Sequence, residues 1–140
     1  MILLSPQKRL ILLLLAGLLV TVFVISYFLW PHVKLPQNTD ATLNFKHMKA
    51  EVKEKLTANE KLELIHMFNG KRLILSKAIY SCGFSEDISI TIGDCVFHIA
   101  RDTCNTIYFA NAGKYFEVSQ KDRLKITQIF EKHGGYFPCV

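Results

Sequence analysis

From Leu10 to Trp30 the chain reads LILLLLAGLLVTVFVISYFLW, twenty-one residues without a charge. At 1.5 Å rise per residue, a helix of that length spans about 30 Å, the hydrocarbon thickness of a bilayer. Its only polar side chains are Thr21, Ser26 and Tyr27. The first two can return their hydroxyl bonds to the helix backbone, so lipid would meet few unsatisfied groups. The rest of the chain is therefore read as something held at a membrane surface.

A cleaved signal peptide is the competing explanation. Signal peptides carry about 7–15 apolar residues and end in a small-x-small site. Here the run is longer, and Ser26-Tyr27-Phe28-Leu29-Trp30-Pro31 is bulky where a peptidase needs small residues. No cysteine near the segment's end offers a lipoprotein site. The organisation expected is a cytoplasmic tail over residues 1–9, an anchor over 10–30, a Pro-containing spacer over 31–41 and one domain over 42–140. The domain would be an ordinary single core, and its partner through the anchor is the lipid bilayer.

Lys8 and Arg9 on the short side favour a cytoplasmic N-terminus, although Lys34, Lys46 and Lys49 dilute the asymmetry. All four cysteines, Cys82, Cys95, Cys104 and Cys139, follow the anchor. An even number in a small domain is expected of disulfides in an oxidising space, against free thiols in a cytosolic one. The expected location is the inner (plasma) membrane, single-pass, with a periplasmic C-terminal domain. Residues 31–140 carry fifteen Lys and Arg against twelve Asp and Glu, a formal charge of +3 without a run of like charges. That gives a nucleic-acid partner no support.

In residues 42–56 the apolar positions Phe45, Met48, Val52 and Leu56 fall at helical spacing, so a helix is expected. Thr57 and Glu60 form a capping box ahead of a second helix, which Asn69-Gly70 stops. Residues 73–80 offer a further strand. Ile88-Ser89-Ile90-Thr91-Ile92 alternates apolar and hydroxyl side chains, and Gly93-Asp94 is a hairpin turn. Closing it pairs Ile92 with Cys95, Ile90 with Phe97 and Ile88 with Ile99 on one face, and Thr91 with Val96 and Ser89 with His98 on the other. A second turn at Ala112-Gly113 would pair Ile107 with Val118 and Phe109 with Phe116. Tyr108 would then oppose Glu117, and Ala110 would oppose Tyr115. Ser119 caps a last helix ending near His133; Leu124 falls off its apolar stripe. The fold class expected is α+β: an N-terminal transmembrane helix, then a disulfide-stabilised domain of three helices and a four- or five-stranded antiparallel sheet, in the order α-α-β-α.

Extending the first hairpin outward suggests Cys82–Cys104 and Cys95–Cys139 as the disulfides. No H-E-x-x-H, G-x-S-x-G, P-loop, dinucleotide fingerprint or C-x-x-C occurs, so no catalytic residue, metal site or cofactor is expected. The register puts Cys95 and His98 on opposite faces of one strand, which argues against a nucleophile–base pair. What remains is a surface. If helices cover the apolar sheet face, the other shows Ser89, Thr91, His98, Tyr108, Tyr115 and Glu117, and tyrosines on a rigid sheet suit protein recognition. The expectation is a non-enzymatic, membrane-anchored domain binding an envelope or periplasmic protein, similar in architecture alone to immunity proteins and inhibitors. The alternative is an accessory subunit of an inner-membrane complex in which the anchor makes the interaction.

Overall fold

A computed structural model describes residues 5–75 and 83–139, and they divide into two units, Met1–Pro31 and His32–Val140. The first holds one helix, α1 (Pro6–Leu29), with a mean hydropathy of 2.8 over its most apolar window. It is long and apolar enough to cross a membrane. Pro6 opens it, where a missing N–H costs nothing, and extended backbone at Trp30 followed by Pro31 ends it. The Thr21 hydroxyl donates to the Gly17 carbonyl at 2.8 Å, so its polar atom is satisfied within the helix.

The second unit contains β1 (Ala41–His47), β2 (Ala50–Lys55), α2 (Ala58–Phe68), β3 (Ile88–Ile92), β4 (Cys95–Ile99), β5 (Thr106–Phe109), β6 (Lys114–Glu117) and α3 (Gln120–Lys132). The strands form one antiparallel sheet in the order β2-β1-β3-β4-β5-β6. The α+β class is as expected; the described residues form six strands instead of four or five, and two helices in the domain instead of three.

The difference lies in residues 42–56, which form the β1–β2 hairpin and not a helix. Phe45, Met48, Val52 and Leu56 matched a helical stripe, but Ala41, Leu43 and Phe45 also alternate with Thr42 and Asn44 at the strand period. Pairing with β3 buries those three completely or nearly so, and burying large apolar side chains at about 1.5–3 kcal/mol each decides the outcome. Met48 sits at the turn, 87 % exposed and at a φ of 51°. This left-handed conformation is costly for a side chain like Met and mild for Asn. Met48→Asn is expected to stabilise the domain by about 0.5–1 kcal/mol, read as a rise in the urea midpoint with an unchanged slope.

The capping box is present: the Thr57 hydroxyl accepts the Glu60 N–H at 3.3 Å and Glu60 Oε2 accepts the Thr57 N–H at 2.9 Å. Ser119 caps α3 by accepting the Asp122 N–H at 3.0 Å, and Leu124 lies exposed on the outer side of that helix. Leu64 and Phe68 from α2, with Ile126 and Phe130 from α3, pack on Phe45, Ile88, Ile90, Phe97, Ile107 and Phe116 of the sheet. The Phe68 ring stands 4.9 Å from Phe97 and 5.2 Å from Phe116, which fixes α2 against the sheet centre. Both helices thus cover one face.

Residues 32–36, expected in a spacer, belong to the domain. Val33 is fully buried, its N–H donates to Lys71 O and its carbonyl accepts the Gly70 N–H, both at 2.8 Å. Leu35 is buried beside it, and its N–H donates to Asn69 Oδ1 at 3.0 Å. Of the strand expected over 73–80, Ile74 forms an isolated bridge with Tyr115; residues 76–80 lie outside the described residues, as does Cys82.

The β3–β4 register is the one read from the sequence, with Ser89 opposite His98 and Ile92 opposite Cys95. The β5–β6 register is not. Ile107 faces Phe116, Tyr108 faces Tyr115 and Phe109 faces Lys114, a shift of two residues. The connection is a loop over 110–113, in which Ala112 N–H donates to Phe109 O and Gly113 N–H to Ala110 O, both at 3.2 Å, with Gly113 at a φ of 60°. A two-residue shift leaves every side chain on its original face, so the pattern could not expose it.

Candidate functional site on the open sheet face

Among the described residues, both helices lie on one side of the sheet, and the opposite face is bordered by the segment leading into β3, where Asn44 Nδ2 donates to Glu86 O at 3.0 Å. Its central row crosses all six strands: Lys53, Asn44, Ser89, His98, Tyr108 and Tyr115 stand opposite one another in turn. The row is polar at its β2 end and aromatic at its β6 end. His98 and Tyr108 rings are 5.4 Å apart and Tyr108 and Tyr115 are 5.0 Å apart, both tilted pairs. Phe84, from the segment leading into β3, adds contacts at 5.5 Å to Tyr115 and 6.2 Å to Tyr108. These pairs fix ring positions before any ligand arrives.

A shallow hollow of about 600 Å³ lies beside the rings, floored by Thr42, Asn44, Thr91, Val96 and His98, with Lys53 and Glu86 among its walls. Asn111 closes one side. Its Oδ1 accepts the Val96 N–H and its Nδ2 donates to Asp94 O, both at 2.8 Å, so the β5–β6 loop is pinned to β4. Burial lowers the His98 pKa from its ordinary value, with the Glu86 charge opposing in part. The ring is neutral at pH 7, an acceptor at one nitrogen and a donor at the other.

Of the residues expected on this face, Thr91, His98, Tyr108 and Tyr115 are half-buried in it. Ser89 is buried and donates its hydroxyl to Glu86 O at 3.1 Å, so it shapes the segment before β3 and is not presented. Glu117 is exposed but stands opposite Thr106, not Tyr108, because of the register shift. Asn44 and Lys53 join this face through β1 and β2, and the helical spacing of residues 42–56 gives no sign of it. Phe84 carries no periodic signal.

The expected disulfide pairs Cys82–Cys104 and Cys95–Cys139 do not form, since Cys95 and Cys104 are free thiols. Cys95 packs against the core, and burial together with Asp94 raises its pKa. A protonated thiol facing away from His98 has no base to activate it. Among the described residues, no group of three His, Cys, Asp or Glu side chains is placed to hold a metal.

Polar clusters also lie away from this face among the described residues. At the end of α3, His133 Nδ1 lies 2.6 Å from Glu54 Oε2, and Nε2 lies 3.1 Å from Glu60 Oε2. Lys132 Nζ donates to Glu60 Oε1 at 2.9 Å. Behind β4, the Arg123 guanidinium is buried among backbone carbonyls. Both clusters have their hydrogen bonds satisfied internally, which marks them as fastenings of the fold. Compared with protein-family models, curated proteins and solved structures, the chain matches none.

Proposed function

We propose that this chain is a membrane-tethered recognition domain, without a catalytic site of its own, that binds another envelope protein through its open sheet face. The observation that carries the reading is the aromatic end of the central row, where tilted ring contacts join His98, Tyr108 and Tyr115 on neighbouring strands and Phe84 packs against the two tyrosines. Tyrosines held in this way offer large contact area at little entropic cost, and they dominate binding energy in many interfaces. The adjoining hollow, with Lys53 and Glu86 at its walls, supplies a polar rim. Inhibitor and immunity proteins act in this manner, by occupying a partner without transforming it.

In this reading α1 is a retained anchor, Lys8 and Arg9 stay in the cytoplasm, and the domain faces the periplasm. Cys139 is disulfide-bonded, whereas Cys95 and Cys104 are free thiols. Arg101 holds the C-terminal segment to the chain before β3: its N–H donates to Gly83 O at 3.2 Å and its carbonyl accepts the Cys139 N–H at 3.3 Å. Peptide mapping without reductant is expected to recover Cys95 and Cys104 as free thiols.

The full-length protein, solubilised in detergent and used as bait against envelope extracts, is expected to capture a specific protein. Tyr108→Ala with Tyr115→Ala should weaken that capture by about thirtyfold, the loss expected of roughly 2 kcal/mol at an interface centre. Circular dichroism of the variant checks that the sheet remains. Capture that survives the double substitution but disappears when α1 is exchanged for an unrelated anchor would shift the reading to a subunit held through its helix.

A further inference from the structure

The two edges of the sheet are finished differently. At β6, Ile74 and Tyr115 exchange both backbone hydrogen bonds, at 2.7 and 2.9 Å. At β2, the described residues pair with β1 alone. An open edge strand is a template for another strand, and lysines commonly guard against that. Here the lysines alternate with glutamates: Glu51, Val52, Lys53, Glu54, Lys55.

The hairpin register decides which groups are free. His47 closes opposite Ala50, so Ala50, Val52 and Glu54 turn their backbone groups toward β1, and Glu51, Lys53 and Lys55 turn theirs outward. The Leu56 N–H donating to Ala41 O at 2.8 Å continues that alternation. Two of the charges near the edge are already engaged, Lys55 with Asp40 at 2.8 Å and Glu54 with His133 at 2.6 Å. Glu51 and Lys53 are exposed and have no ion-pair partner among the described residues.

We propose that the occupant of this edge is a second copy of the chain, with the two β2 strands antiparallel about a two-fold axis at Val52. That register places each Glu51 opposite the partner's Lys53 as a hydrogen-bonded pair, and Val52 opposite Val52. Centring the pair one residue earlier sets Glu51 against Glu51; centring it one residue later sets Lys53 against Lys53 and offers each Glu51 only the partner's Lys55, which Asp40 already holds at 2.8 Å. Cross-strand opposite charges stabilise and like charges repel, so one register is selected and its neighbours are opposed. An isologous pair of this kind closes without extending into a fibre. The two sheets become one, and the polar ends of the two central rows meet at the axis. The pairing leaves the aromatic end of the row untouched and brings Lys53, at the rim of the hollow, to the axis.

The test uses the full chain in membranes, with Cys95→Ser and Cys104→Ser to remove the free thiols. Val52→Cys in that background is expected to form a homodimer on mild oxidation. At a non-hydrogen-bonded pair the Cα atoms lie about 4.5 Å apart, within disulfide range. Adding Glu51→Lys or Lys53→Glu alone should reduce the cross-linked fraction by about tenfold, since each creates two like-charge pairs. Combining both substitutions should restore it. A V52C protein that stays monomeric, cross-linking indifferent to the single charge reversals, or an adduct with a different protein would each overturn the proposal.

Discussion

Arg123→Met is expected to destabilise the domain by about 3–4 kcal/mol and to lower its thermal midpoint by about 15 °C. Arg123 is 4 % exposed, and most of its hydrogen-bond acceptors are main-chain carbonyls. Its Nε donates to Cys104 O at 2.9 Å, while one terminal nitrogen donates to Ala100 O at 3.1 Å and to Asp102 O at 2.8 Å. The other donates to Thr127 Oγ1 at 2.7 Å, and the Phe137 ring lies 4.3 Å from the guanidinium carbon. Burial lowers the Arg123 pKa to about 10, with the Asp102 and Cys104 charges opposing, so the group stays cationic at neutral pH. The loop joining β4 to β5 turns its carbonyls inward toward this one donor. Without the guanidinium those carbonyls remain buried and unpaired, at about 1–3 kcal/mol each before relaxation. Arg123→Lys should recover less than half of the loss, because an ammonium lacks the planar fork that reaches separate carbonyls. Thermal unfolding followed by circular dichroism reads both. A methionine variant within 1 kcal/mol of the parent would show that packing, not these bonds, holds the loop.

How much of this was legible in the sequence follows from how local each instruction is. The apolar helix, the Thr57–Glu60 capping box, the Ser119 cap and the Gly93-Asp94 hairpin each lie within a few residues, and each stands where the pattern put it. The β1–β2 hairpin was hidden because its turn is Met48-Lys49, residues without turn chemistry, while the spacing of four apolar positions imitated a helix. The β5–β6 slip was invisible because a shift of two preserves both faces. That slip matters for the candidate site, since it brings Tyr108 against Tyr115 and so makes the aromatic end continuous. The disulfide pairs failed because they were extrapolated beyond the last residue a hairpin constrains. The Arg123 pocket joins residues up to twenty-three apart, and His133 reaches partners seventy-three and seventy-nine residues away, distances that no periodicity reports.

That last cluster makes stability depend on pH from both sides. Both His133 ring nitrogens face carboxylate oxygens, so the ring must carry both protons to donate twice. Its pKa is raised, first by the bond to Glu54 and further by Glu60, against the opposing effect of burial. Burial alone would also raise the pKa of Glu60; Lys132, the Thr57 N–H and His133 outweigh it and bring the carboxyl from 4.5 to about 2. A base with a raised pKa contributes fully below its unfolded value, near 6.5, and the contribution fades as pH climbs through the folded value. An acid with a lowered pKa contributes above 4.5 and fades as pH falls toward 2. Between those limits Glu60 and His133 are both charged, and their contacts with Lys132 and Glu54 fasten the end of α3 to both β2 and the start of α2. Stability is therefore expected to be greatest between about pH 4.5 and 6.5 and to fall on either side. His133→Gln should flatten the alkaline limb, and Glu60→Gln should flatten the acid limb. Glu60→Ala, which also removes the capping box, should cost about 2–3 kcal/mol near pH 6. Urea unfolding across the pH range measures all three, and an alkaline limb unchanged in the His133→Gln protein would assign that dependence to another group.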